Sequence, residues 1–478
     1  MKKTISLLIS MLCLIPVTRA ENIGVPSECE DVMLQAFYWN SYMSPSGNNS
    51  KYGRTKWIDL LKDTAAISAN FDLVWLPPSA QSTGGVGYYH TCLSKQDSDW
   101  GTKAKLQELI SALHKGNVKV LGDIVINHRG NKSSWVDFYS DNFGNYGTYQ
   151  LKQEHICAGD EAFTSSSSSY KGSTTHGAAD TGTNDGGCRD LDHTSEYVQN
   201  WAKAYVQWMI DVMKYDGFRY DMTLGYHGRY LSMYNEVSNP YLSVSELWEG
   251  IDRQKQHLRE TNYNTMIFDF QLKYEMAKGI VGGSYGKLKK NSNSFRGQGL
   301  EKYAVTFIDN HDTFERDEYG SQQFGGKDLS NPTTKAQILQ ANAYILMLPG
   351  VPCVFYPHWA SYKTEINELI AIRKRAGIHS ESEVLSEATS LYSYEAKVQG
   401  HRGQVIVRLG KNRDMTTPDG FTLAADGDHY SVYLEEGTGI EQPNLDASLK
   451  EREKFIENGK LYIRLGEQVF DAMGRLVK

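Results

Sequence analysis

The sequence contains little cysteine, no excess of positive charge and no long apolar run after its first twenty residues. Only 6 of its 478 residues are cysteine, and a chain of this length buries enough surface on folding to need no covalent cross-links. Lysine and arginine (50) are outnumbered by aspartate and glutamate (57), so the net charge of -7 argues against a nucleic-acid-binding protein. Hydrophobic residues (40%) and charged residues (22%) occur at globular levels, which excludes a disordered chain and predicts two or three domains.

The first twenty residues have the pattern of a signal peptide. Two lysines precede an apolar run over residues 5–17, and small residues at positions 18 and 20 suit cleavage after Ala20. No other segment reaches the ~18 apolar residues that a membrane span requires. We therefore expect an exported protein, whether periplasmic, bound to the cell surface or secreted. Five cysteines remain after cleavage, so at least one thiol is unpaired, although Cys157 and Cys188 flank one polar loop and could pair.

Short β-rich segments alternate with amphipathic stretches through most of the chain. The periodicity of Leu106, Leu109, Ile110 and Leu113 is typical of one helical face. Eight strands that are each followed by a helix predict an α/β fold, a closed (β/α)8 TIM barrel, and an open α/β sheet is the alternative. The eight predicted strands lie at residues 32–39, 71–76, 118–127, 217–221, 241–247, 266–270, 304–308 and 351–356.

Two regions depart from this alternation. More than sixty residues rich in Ser, Gly, Asp and Thr separate the third strand from the next helix, which predicts a domain inserted at about residues 129–193 of a barrel spanning 21–380. After Ala376 the helical pattern ends and alternating β segments predict a C-terminal antiparallel β domain at residues 381–436. The tail, 437–478, contains two further β-rich pieces at 460–465 and 468–470.

Charged side chains follow several predicted strands where the strands end. Asp221 ends the fourth strand, Glu246 the fifth and Asp312 the seventh, with Arg219 and His311 beside two of them. Loops at the carboxyl ends of barrel strands meet at one opening, so we expect the three carboxylates to converge there. Converging carboxylates suit glycoside hydrolysis, whereas each acid alone is more commonly a surface residue or part of a salt bridge.

The same segments resemble a known family. Residues 123–129, 217–221, 245–248 and 307–313 are similar, in order and spacing, to the four motif regions of the α-amylase family, glycoside hydrolase family 13, and above all to plant-type members. The resemblance extends from about residue 33 to about residue 378.

This resemblance implies roles for individual residues. Asp221 would be the nucleophile, Glu246 the general acid/base and Asp312 the stabiliser of the transition state, with Arg219 holding the nucleophile ionised. Four further side chains would contact the sugar rings, and they are His128, His311, Tyr88 and Trp248.

The resemblance also implies a calcium ion, which prefers hard oxygen ligands. Asn127, Asp180 and Asp190 would supply side-chain oxygens, and Thr183 and Gly225 backbone carbonyls. Such an ion would hold the inserted loop to the barrel, whereas Asp180 taken alone would be read as part of an Asx turn.

The function implied is an exported, calcium-dependent, retaining α-amylase that cleaves internal α-1,4 bonds of starch or glycogen and acts as a monomer. Alternatives are another α-glucan enzyme of the family, such as a maltogenic hydrolase or a transglycosylase, and a glycan-binding protein without activity. Leu224 departs from the family, which usually has a basic residue there. The tail resembles the sorting segments of exported proteins in Bacteroidetes-like bacteria, and an additional β-hairpin is the alternative.

Overall fold

The computed structural model describes residues 22–438, apart from 48, 185–186, 291–292, 316–323, 325 and 327, together with 452–457, 460–465 and 468–471. The predicted signal peptide lies outside the described residues. No helix in these ranges is long and apolar enough to cross a membrane.

Eight parallel strands close into a barrel, each pairing with the next along the chain and β1 also pairing with β8. All eight are short and almost fully buried, as expected for strands covered on both faces. The predicted TIM barrel is therefore confirmed, and each predicted strand contains one observed strand. The strands are β1 Met33–Gln35, β2 Leu73–Trp75, β3 Lys119–Ile124, β4 Gly217–Tyr220, β5 Ser243–Ser245, β6 Met266–Phe268, β7 Ala304–Phe307 and β8 Val351–Phe355.

A helix follows every barrel strand before the next strand begins. The predicted face of α2, which includes Leu106 and Leu113, is buried, and the Thr102 hydroxyl caps the start of this helix by accepting from Lys105 N. The principal helices are α1 Trp57–Ser68, α2 Lys103–Lys115, α3 Glu196–Asp211, α4 Gly228–Ser238, α5 Ile251–Glu260, α6 Phe270–Met276, α7 Pro332–Met347 and α8 Lys363–Ala376. Shorter helices are Glu161–Thr164, His311–Glu315 and Tyr356–Ser361.

The connection between β3 and α3 forms the inserted domain. It begins and ends in one antiparallel ribbon, in which His128–Arg129 pairs with Arg189–Asp190. A buried ion pair joins Arg129 to Asp141 at 2.7 Å, and the indole of Trp201 in α3 donates to the same carboxylate at 2.8 Å. These contacts fix the insertion against the barrel on the side where β3 ends.

The C-terminal part of the chain forms an antiparallel sheet in the order β9-β10-β11-β13-β12, which confirms the predicted all-β region. The Arg296–Glu387 ion pair (2.7 Å) joins it to the barrel. Its strands are β9 Glu383–Thr389, β10 Tyr394–Gln399, β11 Gln404–Leu409, β12 Phe421–Gly427 and β13 Tyr430–Glu435. The tail contributes a separate three-stranded sheet of β14 Arg452–Glu457, β15 Lys460–Leu465 and β16 Gln468–Asp471.

Candidate active site

The register between neighbouring strands brings two predicted catalytic carboxylates side by side. Tyr220 of β4 pairs with Ser245 of β5, so the residues that follow them, Asp221 and Glu246, leave the barrel at the same level. The backbone continues this ladder, because Glu246 N donates to Tyr220 O at 2.9 Å.

Arg219 lies beneath these two carboxylates and contacts both of them. Its Nη1 donates to Asp221 Oδ1 at 2.6 Å and to Asp123 Oδ1 at 2.9 Å, while its Nη2 lies 2.8 Å from Glu246 Oε1. The guanidinium is 1% exposed, so water screens these contacts little. One buried cation thus serves three buried or nearly buried carboxylates.

The turn after Asp221 fixes the orientation of Glu246. Met222 has a left-handed backbone (φ 47), which is uncommon for a residue with a side chain, and its N–H donates to Glu246 Oε2 at 3.0 Å. The Thr223 hydroxyl donates to the Glu246 carbonyl at 2.7 Å. The same short turn therefore holds the side chain and the backbone of Glu246.

Asp312 reaches the opening from the short helix that follows β7. The side-chain oxygen of Asn310 accepts from Asp312 N at 3.0 Å and from Thr313 N at 2.9 Å, which caps this helix. His311 Nε2 lies 3.3 Å from Asp312 Oδ2. The third predicted carboxylate therefore lies at the same end of the barrel as the other two.

A chain of hydrogen bonds links His311 to the carboxylate cluster. Gln35 Nε2 lies 3.0 Å from His311 Nδ1, His311 Nε2 lies 2.7 Å from the Tyr88 hydroxyl, and that hydroxyl donates to Asp123 Oδ2 at 2.9 Å. Since Tyr88 has one proton to donate, these partners assign the proton of His311 to Nε2. The Tyr88 ring also stacks on His311, with centroids 5.2 Å apart.

These side chains line one cleft of about 400 Å³. It contains all three predicted catalytic carboxylates and four of the five predicted substrate-binding residues, whereas Arg219 lies below its floor. The lining residues are Trp39, Tyr88, Tyr89, His128, Thr183, Asp221, Met222, Leu224, Glu246, Trp248, His311 and Asp312.

Two lining residues are held by the protein itself. His128 Nε2 donates to the Tyr88 carbonyl at 3.1 Å, which fixes the imidazole at the edge of the cleft. Trp248 stacks on Phe270 with ring centroids 4.8 Å apart, and its indole N–H donates to the Tyr274 hydroxyl. Both rings are therefore oriented before any ligand enters.

Burial governs the protonation of the cluster. Burial raises the pKa of Asp123 to about 6, although Arg219 and the Tyr88 hydroxyl favour its ionised form. The pKa of Asp221 is also raised, by burial first and then by repulsion from Glu246 and Asp123, while Arg219 opposes the shift. The resemblance implies that Arg219 holds Asp221 ionised, and in the structure Arg219 acts in that direction, against burial and two neighbouring carboxylates.

Known proteins share this sequence pattern. The family "Alpha amylase, catalytic domain" matches residues 55–263. "Probable alpha-amylase 2" of Arabidopsis thaliana is 28% identical over 426 residues, covering 84% of this chain and 94% of that protein. "Alpha-amylase type B isozyme" of Hordeum vulgare is 39% identical over 134 residues, covering 27% of this chain and 78% of that sequence. The chain belongs to the α-amylase family.

A solved structure agrees with this assignment at the level of the fold. The α-amylase of Anoxybacillus superposes with a TM-score of 0.60 at 15% identity, covering 86% of this chain and 99% of that one. This α-amylase is thus a glycoside hydrolase that acts on α-glucans.

The residues predicted to bind calcium meet beside the cleft, where the insertion contacts the barrel. Ligand atoms of Asp180, Asp190 and Cys157 all lie within 4.8 Å of one another. Asn127 Oδ1 and Asp180 Oδ2 are buried and have no hydrogen-bond partner among the residues that the structure describes. Buried oxygens of this kind fit a hard cation, because an unsatisfied polar atom is otherwise costly.

Glycine permits the close approach of the two chain segments at this place. A Cβ atom on Gly182 would lie 2.2 Å from the Leu224 carbonyl oxygen, and one on Gly225 would lie 1.9 Å from Asn127 Oδ1. Thr183 N donates to the Leu224 carbonyl at 2.9 Å. The five residues predicted as calcium ligands therefore belong to segments that meet, and the site fits the ion.

Cys157 is a free buried thiol in the structure, so the pairing with Cys188 that the sequence allowed is not formed. Burial raises the pKa of the Cys157 thiol, and the neighbouring Asp190 raises it further. A protonated thiol is a poor calcium ligand, so the oxygens of this α-amylase's cluster are the ones suited to the ion.

Among the residues of the site that were not predicted from the sequence are Asp123, Trp39 and Gln35. Asp123 belongs to the first motif segment but lies inside β3. An acidic residue among the apolar residues of a buried strand was the signal that could have identified it. Trp39 stacks against Tyr88 and His311, with ring centroids 6.2 and 5.9 Å away. Gln35, the last residue of β1, was hidden within a predicted strand that extended to residue 39.

Proposed function

We propose that this α-amylase hydrolyses internal α-1,4-glucosidic bonds of starch-type or glycogen-type polysaccharides with retention of the anomeric configuration. The observation that carries the proposal is the position of Asp221 and Glu246 directly after the paired residues Tyr220 and Ser245, with each carboxylate on one terminal nitrogen of Arg219. Retaining glycosidases require two carboxyl groups about 5–5.5 Å apart, whereas inverting enzymes keep them about 6.5–9.5 Å apart. Sharing one guanidinium favours the shorter separation.

In the first step, Glu246 donates a proton to the glycosidic oxygen as the bond to the anomeric carbon breaks, and the ionised Asp221 attacks that carbon. The product is a covalent glycosyl-enzyme ester and a released chain with a new hydroxyl group. Arg219, 2.6 Å from Asp221, stabilises the attacking carboxylate, while burial and mutual repulsion favour a proton retained within the cluster. The cluster can therefore hold an ionised Asp221 and a protonated Glu246, the two states that this step needs.

In the second step, Glu246 removes a proton from a water molecule, which attacks the anomeric carbon and releases Asp221. Asp312 would accept hydrogen bonds from sugar hydroxyls that strengthen as the ring flattens, because its carboxylate lines the same cleft as Asp221 and Glu246. His311 and His128 lie at the wall and would contact the same sugar. Tyr88 would form an aromatic platform below it, and Trp248 would contact the leaving-group side.

We propose a calcium ion held by Asn127, Asp180 and Asp190 with the carbonyls of Thr183 and Gly225. The ion would supply a cross-link between the insertion and the turn that follows β4. The support is the pair of buried oxygens of Asn127 and Asp180, neither of which has a hydrogen-bond partner in the described part of the chain.

Product analysis tests the reaction. Soluble starch incubated with the protein is expected to give a mixture of maltooligosaccharides, and proton NMR of the earliest products is expected to show the α-anomer. Maltose or glucose as the only product, or chains longer than the acceptor supplied, would favour a maltogenic hydrolase or a transglycosylase. Equal rates for wild type and Glu246→Gln would indicate a glycan-binding protein with contaminating activity. Export, the monomeric state and a sorting role of the tail stay predictions.

A further inference from the structure

Two histidines and a glutamate meet at the end of the barrel opposite the cleft. Glu28 precedes β1, His379 follows α8, and His401 lies in the turn between β10 and β11. Their ligand atoms all lie within 4.8 Å of one another, and the two imidazole rings stack with centroids 4.1 Å apart. The three residues thus join the start of the barrel, its last helix and the C-terminal sheet.

The backbone around this cluster is fixed by contacts among the same segments. Cys29 N donates to the Ser380 hydroxyl at 3.0 Å, and Ser380 N donates to the Cys29 carbonyl at 2.9 Å. His401 N donates to the Gly377 carbonyl at 3.0 Å, and Glu28 N to Glu381 Oε2 at 2.8 Å. The positions from which the three side chains project are therefore set before any ligand arrives.

His401 is oriented as metal-ligating histidines usually are. Its Nδ1 lies 3.0 Å from Glu30 Oε1, and its Nε2 lies 3.6 Å from Glu28 Oε2. A carboxylate that accepts the Nδ1 proton leaves the lone pair on Nε2, the atom that faces Glu28. Glu30 is itself held by Arg402, whose Nη1 donates to it at 3.0 Å.

His379 is 7% exposed, and its ring is covered on one face by the ring of His401. His379 Nδ1 accepts a long hydrogen bond of 3.3 Å from Glu381 N, so binding a metal through Nε2 would place the ring proton on Nδ1 and break this hydrogen bond.

Two carboxylates lie beside the imidazole of His401. The carboxylate of Glu30 pairs with Arg402, whereas that of Glu28 lies beside His401. The side chain of Glu28 is 59% exposed, so it can rotate towards an ion without opening the core. The cluster is thus open to solvent on the side of Glu28.

We propose that Glu28, His379 and His401 bind a divalent transition metal of the zinc type, which links the barrel to the C-terminal sheet. Imidazole nitrogens with one carboxylate suit Zn²⁺ and its neighbours rather than the oxygen-seeking Ca²⁺. Zinc ligands lie about 2.0–2.1 Å from the ion in a tetrahedron, which sets them roughly 3.3 Å apart. The 3.6 Å between His401 Nε2 and Glu28 Oε2 is close to this value, and water would take the fourth position.

Zinc titration of the whole protein tests the proposal. The metal-stripped chain, saturated with Ca²⁺ to fill the oxygen site, is titrated with Zn²⁺ by calorimetry, and its melting temperature is measured with and without Zn²⁺. Wild type is expected to bind one more Zn²⁺ than His379→Ala or His401→Gln, or to bind it at least tenfold more tightly. Zinc should raise the melting temperature of wild type more than that of either variant, because the ion binds only where the three segments are assembled.

His114→Ala is a matched control, since His114 is a half-exposed histidine whose Nε2 lies 2.8 Å from Asp216. It is expected to behave as wild type. Unchanged starch hydrolysis by His401→Gln without zinc would show that this variant folds. With Co²⁺ as the probe, wild type should give visible absorption typical of a nitrogen-containing site and His401→Gln should lose it. Identical stoichiometry, affinity and cobalt spectrum in wild type and both cluster variants would overturn the proposal.

Discussion

Replacing Arg219 by methionine should destabilise the protein by an amount that depends on pH. The substitution keeps the apolar stem but removes the guanidinium, which lies 2.6–2.9 Å from three carboxylates. Breaking a buried ion pair from one side costs about 3–5 kcal/mol, unless the remaining acids take up protons. We expect the carboxyl groups that lose Arg219 to retain protons, which reduces this cost at low pH.

The direction of this pH dependence follows from the raised pKa values of the carboxylates. Asp123 titrates at about 6 in the folded protein and near 3.9 when unfolded, so its contribution to stability is full below about pH 4 and is lost as the pH rises towards 6. Asp221 shifts in the same direction. Without Arg219 the folded pKa values rise further, so the variant continues to lose stability above pH 6, by about 1.4 kcal/mol per pH unit for each additional proton retained.

Urea unfolding at pH 5.5 and pH 8.0, with calcium constant, measures this effect. The loss of unfolding free energy caused by Arg219→Met, relative to wild type, should be about 2–3 kcal/mol larger at pH 8.0 than at pH 5.5. Arg373→Met is the control, because Arg373 is equally buried but donates to the carbonyls of Leu346, Leu348 and Gly350. Its deficit should not change between the two pH values. Equal deficits for Arg219→Met at both would refute the reasoning.

Further predictions concern activity, stability and the metal. Asp221→Asn should abolish hydrolysis and yet raise the melting temperature, because it removes one charge from a crowded buried cluster; a lower melting temperature would contradict this. Glu246→Gln should lower kcat on starch about 10²–10⁴-fold, with a smaller loss on a glycosyl fluoride whose leaving group needs no proton; equal losses on both would argue against the acid role. EDTA should lower the melting temperature of wild type and have less effect on Asp180→Asn, and equal shifts would exclude Asp180 as a ligand. Trp39→Ala should raise KM for maltooligosaccharides about tenfold with little change in kcat, and an unchanged KM would place this ring outside the binding surface.

The barrel and the acids at its mouth were predictable because their signals are local. Apolar segments that end in charged residues indicate buried strands with functional termini, and Asp221, Glu246 and Asp312 each follow such a segment. The register that places Asp221 beside Glu246 is a property of strand pairing, which the sequence of one strand does not encode. The distances to Arg219 therefore required the structure.

Two strands of the C-terminal sheet, β9 and β12, were not predicted from the sequence, and both contain exposed residues. β9 lies at the edge of the sheet, and five of its seven residues are exposed. It therefore shows no alternation of buried and exposed side chains. β12, at the other edge, includes two exposed residues in succession. Edge strands need only one ordered partner and tolerate polar residues, so they lack the alternation that reveals a central strand such as β10.

The turn at residues 222–225 has a consequence for any exchange of the insertion between relatives. Its first residue steadies Glu246, while its last two lie against Gly182 and Asn127 at the junction with the inserted domain. A graft that shifts this junction by about 0.5 Å would also tilt Glu246, the proposed proton donor. Swaps should therefore carry these four residues together with the segment around Gly182, as one transplantable unit.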